Sequence, residues 1–95
     1  LCNITIKSLD LKYCNKVAEK VKLYLLDAIK DKRFNLYGPT EPYIPHINGR
    51  YYRNILVKYK SLAEADEVFR GIKALRLANK DAEILLDVDP ATESV

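Results

Sequence analysis

The sequence predicts an α+β fold in which an antiparallel sheet carries two helices on one face. Three observations predict it. Residues Cys2–Lys7 alternate between apolar and polar side chains, as in a half-buried strand. An apolar stripe with helical periodicity follows, from Asp10 to Ile29. Near the centre of the chain, the Asn48-Gly49 dipeptide between two extended segments is typical of a type I′ hairpin turn, because both residues tolerate positive φ.

The first half of the chain contains the most regular predicted helix, which starts at Asp10. Its apolar residues recur at i, i+3, i+4 and i+7, and they are Leu11, Cys14, Val17, Ala18, Val21, Leu25, Ala28 and Ile29. A short strand over Phe34–Tyr37 then ends at Gly38-Pro39. Because prolines cannot sit inside a paired central strand, Gly38–Pro45 is expected to be an extended edge or a loop.

The second half begins with a long strand, Arg50–Tyr59. Ser61 and Glu64 then fit the S-x-x-E capping box at the start of a second helix. Its predicted apolar face consists of Leu62, Ala65, Val68, Phe69, Ile72 and Leu75. A last strand, Glu83–Val88, turns Ile84, Leu86 and Val88 inward, and Pro90 stops it. The order β-α-β-β-α-β is that of a ferredoxin-like fold, whose other sheet face is open or covered by another domain.

Length and composition indicate one ordinary globular domain. Ninety-five residues are too few for two independent cores. The absence of Met, even at position 1, suggests that residues 1–95 are a fragment of a longer chain, folded as a single domain. No apolar run approaches the length of about 20 residues that spans a bilayer, and the cytoplasm is the expected location. Cys2 and Cys14 are predicted to be buried free thiols.

The candidate functional segment runs from Gly38 to Tyr59, where cations and aromatic rings are interleaved. No acidic residue occurs from Pro42 to Lys60, although the net charge of the whole chain is only +3. Such a hairpin is suited to holding a phosphate backbone and stacking on exposed bases. The predicted DNA-binding residues are Arg50, Arg53, Tyr51, Tyr52, Lys58, Lys60 and His46. Strand alternation places Tyr51, Arg53, Ile55, Val57 and Tyr59 on one side, and Tyr52, Asn54, Leu56 and Lys58 on the other with Lys7.

No catalytic or metal-binding residue is predicted. Asp87 and Asp89 lie on one side of a strand, but no third ligand is fixed near them, and Asp-x-Asp-Pro is a natural strand end. His46 on a hairpin is more often a solvated tip than a general base. The spacing of Pro39, Pro42 and Pro45 resembles a polyproline ligand, yet it falls inside a folded hairpin. The chain contains no phosphate-binding P-loop motif and no nucleophile motif.

The chain resembles a known family in the order of several weak motifs. These are Gly38-Pro39, a proline-containing loop, the run Ile47–Val57 and Leu86-Asp87-Val88-Asp89-Pro90 near the end. Together they are similar to the C-terminal domain of the primosomal protein N′ (PriA) family of replication-restart DNA helicases. The family commonly has Gly-Arg-aromatic-Arg-aromatic-Gln at the hairpin. Here Tyr52 and Arg53 stand in the reverse order, which exchanges the cation and the ring between the two faces.

The resemblance implies a non-catalytic DNA-binding accessory domain, similar in fold to ribosomal protein S10, within an ATP-dependent 3′-5′ helicase that restarts stalled forks during primosome assembly. It implies no cofactor in this chain, and ATP, Mg²⁺ and structural Zn²⁺ in the longer protein. The implied partners are branched or single-stranded DNA, the helicase core of the same protein, single-stranded-DNA-binding protein and other primosome proteins. No membrane partner is implied.

Three alternatives stay open. The domain could dock on the helicase lobes with little direct DNA contact, in which case the tyrosines and Leu56 would anchor an interface. It could be an S10-like RNA-binding module. A small ferredoxin-like hydrolase of the acylphosphatase type is the weakest alternative. Ser8–Leu11 follows the first strand where such an enzyme needs a glycine-rich phosphate loop, and Asp10 would repel the anion.

Overall fold

The computed structural model describes residues 1–30, 34–40, 46–47 and 49–88, with only the backbone at 46 and 47. The strands are β1 (Cys2–Ser8), β2 (Phe34–Thr40), β3 (His46–Ile47), β4 (Arg50–Tyr59) and β5 (Ala82–Val88). The helices are α1 (Leu11–Ala28), α2 (Leu62–Arg70) and α3 (Ile72–Ala78). The predicted ferredoxin-like order is confirmed, with β3 as an additional two-residue strand in the hairpin.

The strands form one antiparallel sheet in the order β2-β4-β1-β5, and β3 pairs with the beginning of β4. In register, Lys7 lies between Tyr52 on β4 and Glu83 on β5. The side of the sheet that packs against the helices is called the helix face below. The other side, called the open face, carries Asn3, Thr5, Lys7, Asn35, Tyr37, Arg50, Tyr52, Asn54, Leu56, Lys58, Glu83, Leu85 and Asp87.

The core lies between the helix face and α1, and the two predicted periodicities produce it. Strand β1 alternates strictly between buried and half-buried residues, as its sequence predicts. The Asp10 carboxylate caps α1 by accepting a hydrogen bond of 3.1 Å from the N–H of Lys12. The predicted stripe is buried apart from Leu11, which is 38% exposed in the first turn, and Ala28, which is half-buried.

Strand β2 is longer than the sequence predicts. It does not end at Gly38-Pro39 but continues to Thr40, with a shift of register against β4 between Tyr37 and Thr40. Gly38 adopts a φ of +109°, which glycine accommodates and other residues rarely do. An irregularity of this kind on an edge strand lets the chain pass the proline without losing the sheet. The prediction for Pro42 and Pro45 lies outside the described residues.

The second predicted helix is two helices that meet at Gly71. The hydroxyl of Tyr24 on α1 donates a 2.5 Å hydrogen bond to the Val68 carbonyl, and the N–H of Gly71 donates to the same oxygen at 3.2 Å. This carbonyl would otherwise accept from Ile72, so the regular ladder is interrupted. A side chain at position 71 would overlap the Tyr24 ring. Ser61 caps α2 as predicted, through the N–H of Glu64.

Smaller differences concern the ends of elements. Leu62, which the sequence places on the apolar face of the second helix, is 47% exposed in the first turn of α2. Ile84 is buried and Leu86 and Val88 are half-buried on the helix side of β5, as predicted. Gly49 has a φ of +77°, in keeping with the predicted turn, whereas Asn48 and Pro90 lie outside the described residues.

Cys2 and Cys14 are both buried and free, which confirms the sequence prediction. Burial raises the pKa of the Cys2 thiol to about 11. Because the folded state favours the neutral thiol, this contribution to stability is complete below the ordinary thiol pKa of 9.0 and is lost as the pH rises from there through about 11. We expect the free energy of unfolding to fall by up to about 3 kcal/mol from this group over that interval.

The measurement is urea unfolding of the wild-type chain and of Cys2→Val at several pH values between 8 and 11. The variant has an apolar side chain that is suited to a strand, but no thiol to ionise. Its free energy of unfolding should therefore fall less steeply with pH than that of the wild type. Parallel pH profiles for the two proteins would show that Cys2 ionisation does not contribute.

Candidate nucleic-acid interface

Strand β4 divides the predicted DNA-binding residues between the two faces of the sheet. Tyr52 and Lys58 lie on the open face, and Arg50, which is exposed, falls on the same side by alternation. Tyr51 and Arg53 lie on the opposite side, above the region where α1 begins. The alternation predicted from the sequence is therefore confirmed. The predicted residues form two separate groups rather than one continuous surface.

Each of two tyrosines on the open face has a lysine ammonium beside its ring. The Nζ of Lys7 lies 5.9 Å from the ring centroid of Tyr52, and the Nζ of Lys58 lies 5.5 Å from that of Tyr37. Both distances are within the range of a cation–π contact. Tyr37 is 50% exposed, and Tyr52 is half-buried. Cation and ring are thus paired across neighbouring strands. Lys7 is directly opposite Tyr52, and Lys58 lies two residues after Leu56, which is the residue opposite Tyr37.

The charge of the open face changes sign across the sheet. Lys58 and Arg50 stand at the two ends of β4, whereas β5 at the far edge presents Glu83 and Asp87. Lys7 lies between the two sides and forms an ion pair of 3.3 Å with Glu83. The basic part of this face is therefore confined to β4 and β1. An anionic ligand placed there would avoid β5.

Between the two lysine–tyrosine pairs, the open face carries polar and apolar groups. The Thr5 hydroxyl donates a 3.1 Å hydrogen bond to Oδ1 of Asn54. This bond leaves the two N–H donors of the Asn54 amide without a partner among the residues that the structure describes. Leu56 is half-buried directly opposite Tyr37 in the β2–β4 register. The surface thus offers a hydrogen-bond donor and an apolar floor between the rings.

Arg53 has structural contacts on the helix side. Its Nη1 donates a 2.7 Å hydrogen bond to the Tyr52 carbonyl, and the side chain is half-buried. The Cys14 thiol lies nearby, and its Sγ is 3.5 Å from the carbonyl oxygens of Ile6 and Tyr51. Burial raises the pKa of this thiol, and the Arg53 guanidinium opposes part of that rise. Arg53 therefore lies on the helix side of β4, near the start of α1, and not on the open face.

The remaining predicted residues lie at the two ends of the hairpin strand. Lys60 is exposed just after β4 and lines a shallow groove of about 450 Å³ with Phe34, Asn35, Lys58 and Tyr59. His46 pairs through its backbone with Tyr51, but the prediction for its side chain lies outside what the structure describes.

The pairing of Asp87 with Asp89 cannot be placed, because residue 89 is outside the described range. Within residues 1–30, 34–40 and 49–88, no cluster of three or more His, Cys, Asp or Glu side chains is arranged to hold a metal ion. No helix in the described part of the chain is both long enough and apolar enough to cross a membrane.

Tyr37 and Asn54 belong to the candidate site, although the sequence does not single them out. The sequence places Tyr37 only in a short strand, because nothing in its own segment shows which residue of β4 it faces. The register Tyr37↔Leu56 brings its ring to Lys58. Asn54 lies inside an apolar run, and its bond with Thr5 depends on the pairing of β1 with β4. Cross-strand register was the missing information in both cases.

Comparison with protein families identifies the chain. The family model of the primosomal protein N C-terminal domain matches residues 2–91. The chain belongs to this family. Membership assigns the domain to primosome function and replication restart, and the resemblance seen in the sequence is confirmed.

Comparison with solved structures supports the fold alone. A de novo designed protein, Foldit4, superimposes with a TM-score of 0.62 and covers 90% of this chain and 90% of its own, at 8% sequence identity. At such low identity the likeness shows a shared architecture and carries no function. No curated protein matches the chain in sequence.

Proposed function

We propose that this domain is a non-catalytic DNA-binding module of a replication-restart helicase, and that its open face contacts the DNA. The family gives the biological setting, and the geometry supports the mode of action. The main observation in support of this proposal is the pair of lysine–tyrosine contacts on β4 and its neighbouring strands. Arg50 is exposed at the hairpin end of the same surface. Cations next to rings provide phosphate neutralisation and base contact on one surface.

The proposal divides the predicted residues by role. Arg50, Tyr52 and Lys58 contact DNA, with Lys60 at the edge of the surface. Arg53 and Tyr51 act through the fold, because Arg53 supports the backbone of Tyr52 and lies against α1. The swapped order of Tyr52 and Arg53 relative to the family pattern thus places the ring outward and the cation inward in this chain.

The longer protein implied by the family is part of the same proposal. In it, helicase lobes would use ATP and Mg²⁺, zinc-binding cysteines would be structural, and the domain would assist the binding of branched or single-stranded DNA in the cytoplasm. Single-stranded-DNA-binding protein and other primosome proteins are proposed partners of that longer protein. This domain would add DNA affinity to it and no chemical step.

One observation favours docking as a second candidate function. The open face exposes Leu85 to 46% and Tyr37 to 50%, and Leu56 lies between them in the sheet. Apolar and aromatic residues of this kind also form the cores of protein interfaces. In that case the open face would be covered by a helicase lobe, and DNA would bind this chain weakly or not at all.

Fluorescence anisotropy of the chain with labelled DNA distinguishes the two functions. Single-stranded, duplex and forked DNA, and single-stranded RNA of the same sequence, would be compared at about 50 and 200 mM salt. With three or four phosphate contacts to a single strand, we expect the affinity to fall about twentyfold to fiftyfold between these concentrations, since each contact contributes about 0.7 to the slope of log affinity against log salt. No DNA binding at the lower salt would favour docking, and a clear preference for RNA would favour the S10-like alternative.

Three single variants test the assignment of faces. Arg50→Ala should weaken DNA binding about threefold to tenfold, since it removes one cation from the proposed surface. Arg70→Ala is the matched control, because Arg70 is exposed on α2, away from the open face, and pairs with Asp66. Arg53→Ala should lower the midpoint of unfolding. The affinity of the molecules that remain folded should stay near that of the wild type. Equal losses of affinity for Arg50→Ala and Arg70→Ala would contradict the proposed surface.

A further inference from the structure

We propose that the open face selects single-stranded DNA by stacking one base on Tyr37 and one on Tyr52. This inference rests on the proposed function and specifies which form of DNA the surface prefers. It adds Tyr37, Lys7 and Asn54 to the residues that contact the ligand. Its physical basis is that both rings lie on the open face, Tyr37 half exposed and Tyr52 half-buried, and that each has its own cation.

The spacing of the rings suits two bases of one strand. Tyr37 is directly opposite Leu56, and Tyr52 lies four residues before Leu56 on the same strand. At about 3.3 Å per residue along β4 and about 4.8 Å between strands, their backbones are about 14 Å apart. The space between them is occupied by Asn54 and Leu56 of β4, whose side chains are half-buried. An extended strand can therefore cross the surface from one ring to the other without a large side chain in its path.

Each ring is accompanied by a group that can bind the phosphate of the same nucleotide. The ammonium groups of Lys7 and Lys58 lie 5.9 and 5.5 Å from the ring centroids, farther than the contact distance of about 3.5–4 Å between stacked carbon atoms. A base can take the ring while the flexible lysine moves to the phosphate. Arg50 extends the row of cations towards the hairpin, and the amide N–H donors of Asn54 face any base edge that lies between the rings.

A duplex does not fit the same surface equally well. Bases inside a duplex are stacked on each other, so their faces are not available to a tyrosine ring. The second phosphate backbone would also extend towards β5, where Glu83 and Asp87 repel it. Forked DNA would bind through its unpaired arm. The arrangement thus predicts discrimination by base exposure, in addition to the electrostatic attraction that any DNA form experiences.

The test compares three ligands that differ in base exposure. A labelled oligothymidine, an abasic oligomer with the same number of phosphates and a duplex of the same length would be titrated with the chain at low salt. The variants are Tyr37→Leu/Tyr52→Leu, which removes the rings, and Tyr37→Phe/Tyr52→Phe, which keeps the rings and removes only the hydroxyls. Thermal unfolding of both variants checks that the sheet is intact.

We expect oligothymidine to bind about tenfold or more tightly than the abasic oligomer, because stacking contributes measurably for each base. The leucine variant should bind both oligomers alike, and the phenylalanine variant should behave as the wild type. Equal binding of oligothymidine and abasic oligomer by the wild type would overturn the stacking inference while leaving the proposed DNA binding intact. Failure of the wild type to bind any of the three ligands would contradict the proposed function itself.

Discussion

Replacing Gly38 with alanine is expected to destabilise the domain by about 2–5 kcal/mol, from backbone strain and overpacking together. Gly38 has a φ of +109°, a conformation that side chains rarely adopt. A Cβ atom there would also lie 2.6 Å from the Asn54 carbonyl oxygen and 3.1 Å from the Thr40 nitrogen. Both neighbours are backbone atoms in the sheet, so neither can move away without breaking the pairing of β2 with β4.

Gly49→Ala is the matched control for this prediction. Gly49 also has a positive φ, of +77°, but a Cβ atom there would meet nothing within 4 Å. Its substitution should therefore cost only the strain, about 1–2 kcal/mol. Urea unfolding of the three proteins gives the comparison. If Gly38→Ala were no more destabilising than Gly49→Ala, the close approach of β2 to Asn54 would not be a constraint on the fold.

The same substitution has a consequence for the proposed site. Tyr37 directly precedes Gly38, and the register on which its contact with Lys58 depends changes immediately after it. A variant that folds by shifting β2 would displace the Tyr37 ring from Lys58. Loss of stability and loss of one stacking position are thus coupled through a single residue of an edge strand.

The sequence was sufficient for the elements whose signal is contained in their own segment. The alternation of β1, the apolar stripe of α1 and the alternation of β4 each depend on residues within one element, and each was predicted correctly. The alternation of β4 alone also places Tyr52 and Lys58 on the same face, since it needs no knowledge of the neighbouring strands. Local periodicity therefore predicted the fold and half of the candidate site.

The features that the sequence did not predict depend on contacts between distant residues. The break at Gly71 is caused by the Tyr24 hydroxyl, which comes from α1 and takes the Val68 carbonyl. Arg53 lies near Cys14 at the start of α1, and this position depends on how α1 packs on the sheet. A helix-period pattern spans Gly71 without interruption, so no local rule could place the break. The same limit explains why Tyr37 was missed.

Neutralising the three open-face cations is expected to reduce affinity for single-stranded DNA by about a hundredfold or more at low salt, which amounts to at least about 2.7 kcal/mol. The variant is Lys7→Gln/Arg50→Gln/Lys58→Gln. If each cation binds one phosphate, the slope of log affinity against log salt should become shallower by about 2, since each contact with a single strand contributes about 0.7. A salt titration of the wild type and the variant measures both quantities.

The control variant is Lys16→Gln/Lys73→Gln, which removes two positive charges from exposed positions on α1 and α3. It should reduce affinity only slightly and leave the salt slope unchanged, because these lysines lie on the helix side of the sheet. A comparable change of slope in the control would mean that DNA responds to the overall charge of the domain and not to the open face.

Glu83→Gln is expected to raise the affinity for DNA, whereas the loss of cations from the same surface lowers it. The Glu83 carboxylate holds Lys7 at 3.3 Å and faces any phosphate that approaches Lys7. Its removal frees the ammonium and lowers the negative charge beside β1. The Glu83 side chain is 54% exposed and that of Lys7 is 21% exposed. Because an ion pair with an exposed partner is worth up to about 1 kcal/mol, affinity should rise by up to about fivefold. A variant that destabilised the surface would lower affinity instead, so an increase would separate a direct electrostatic role of the open face from a structural one.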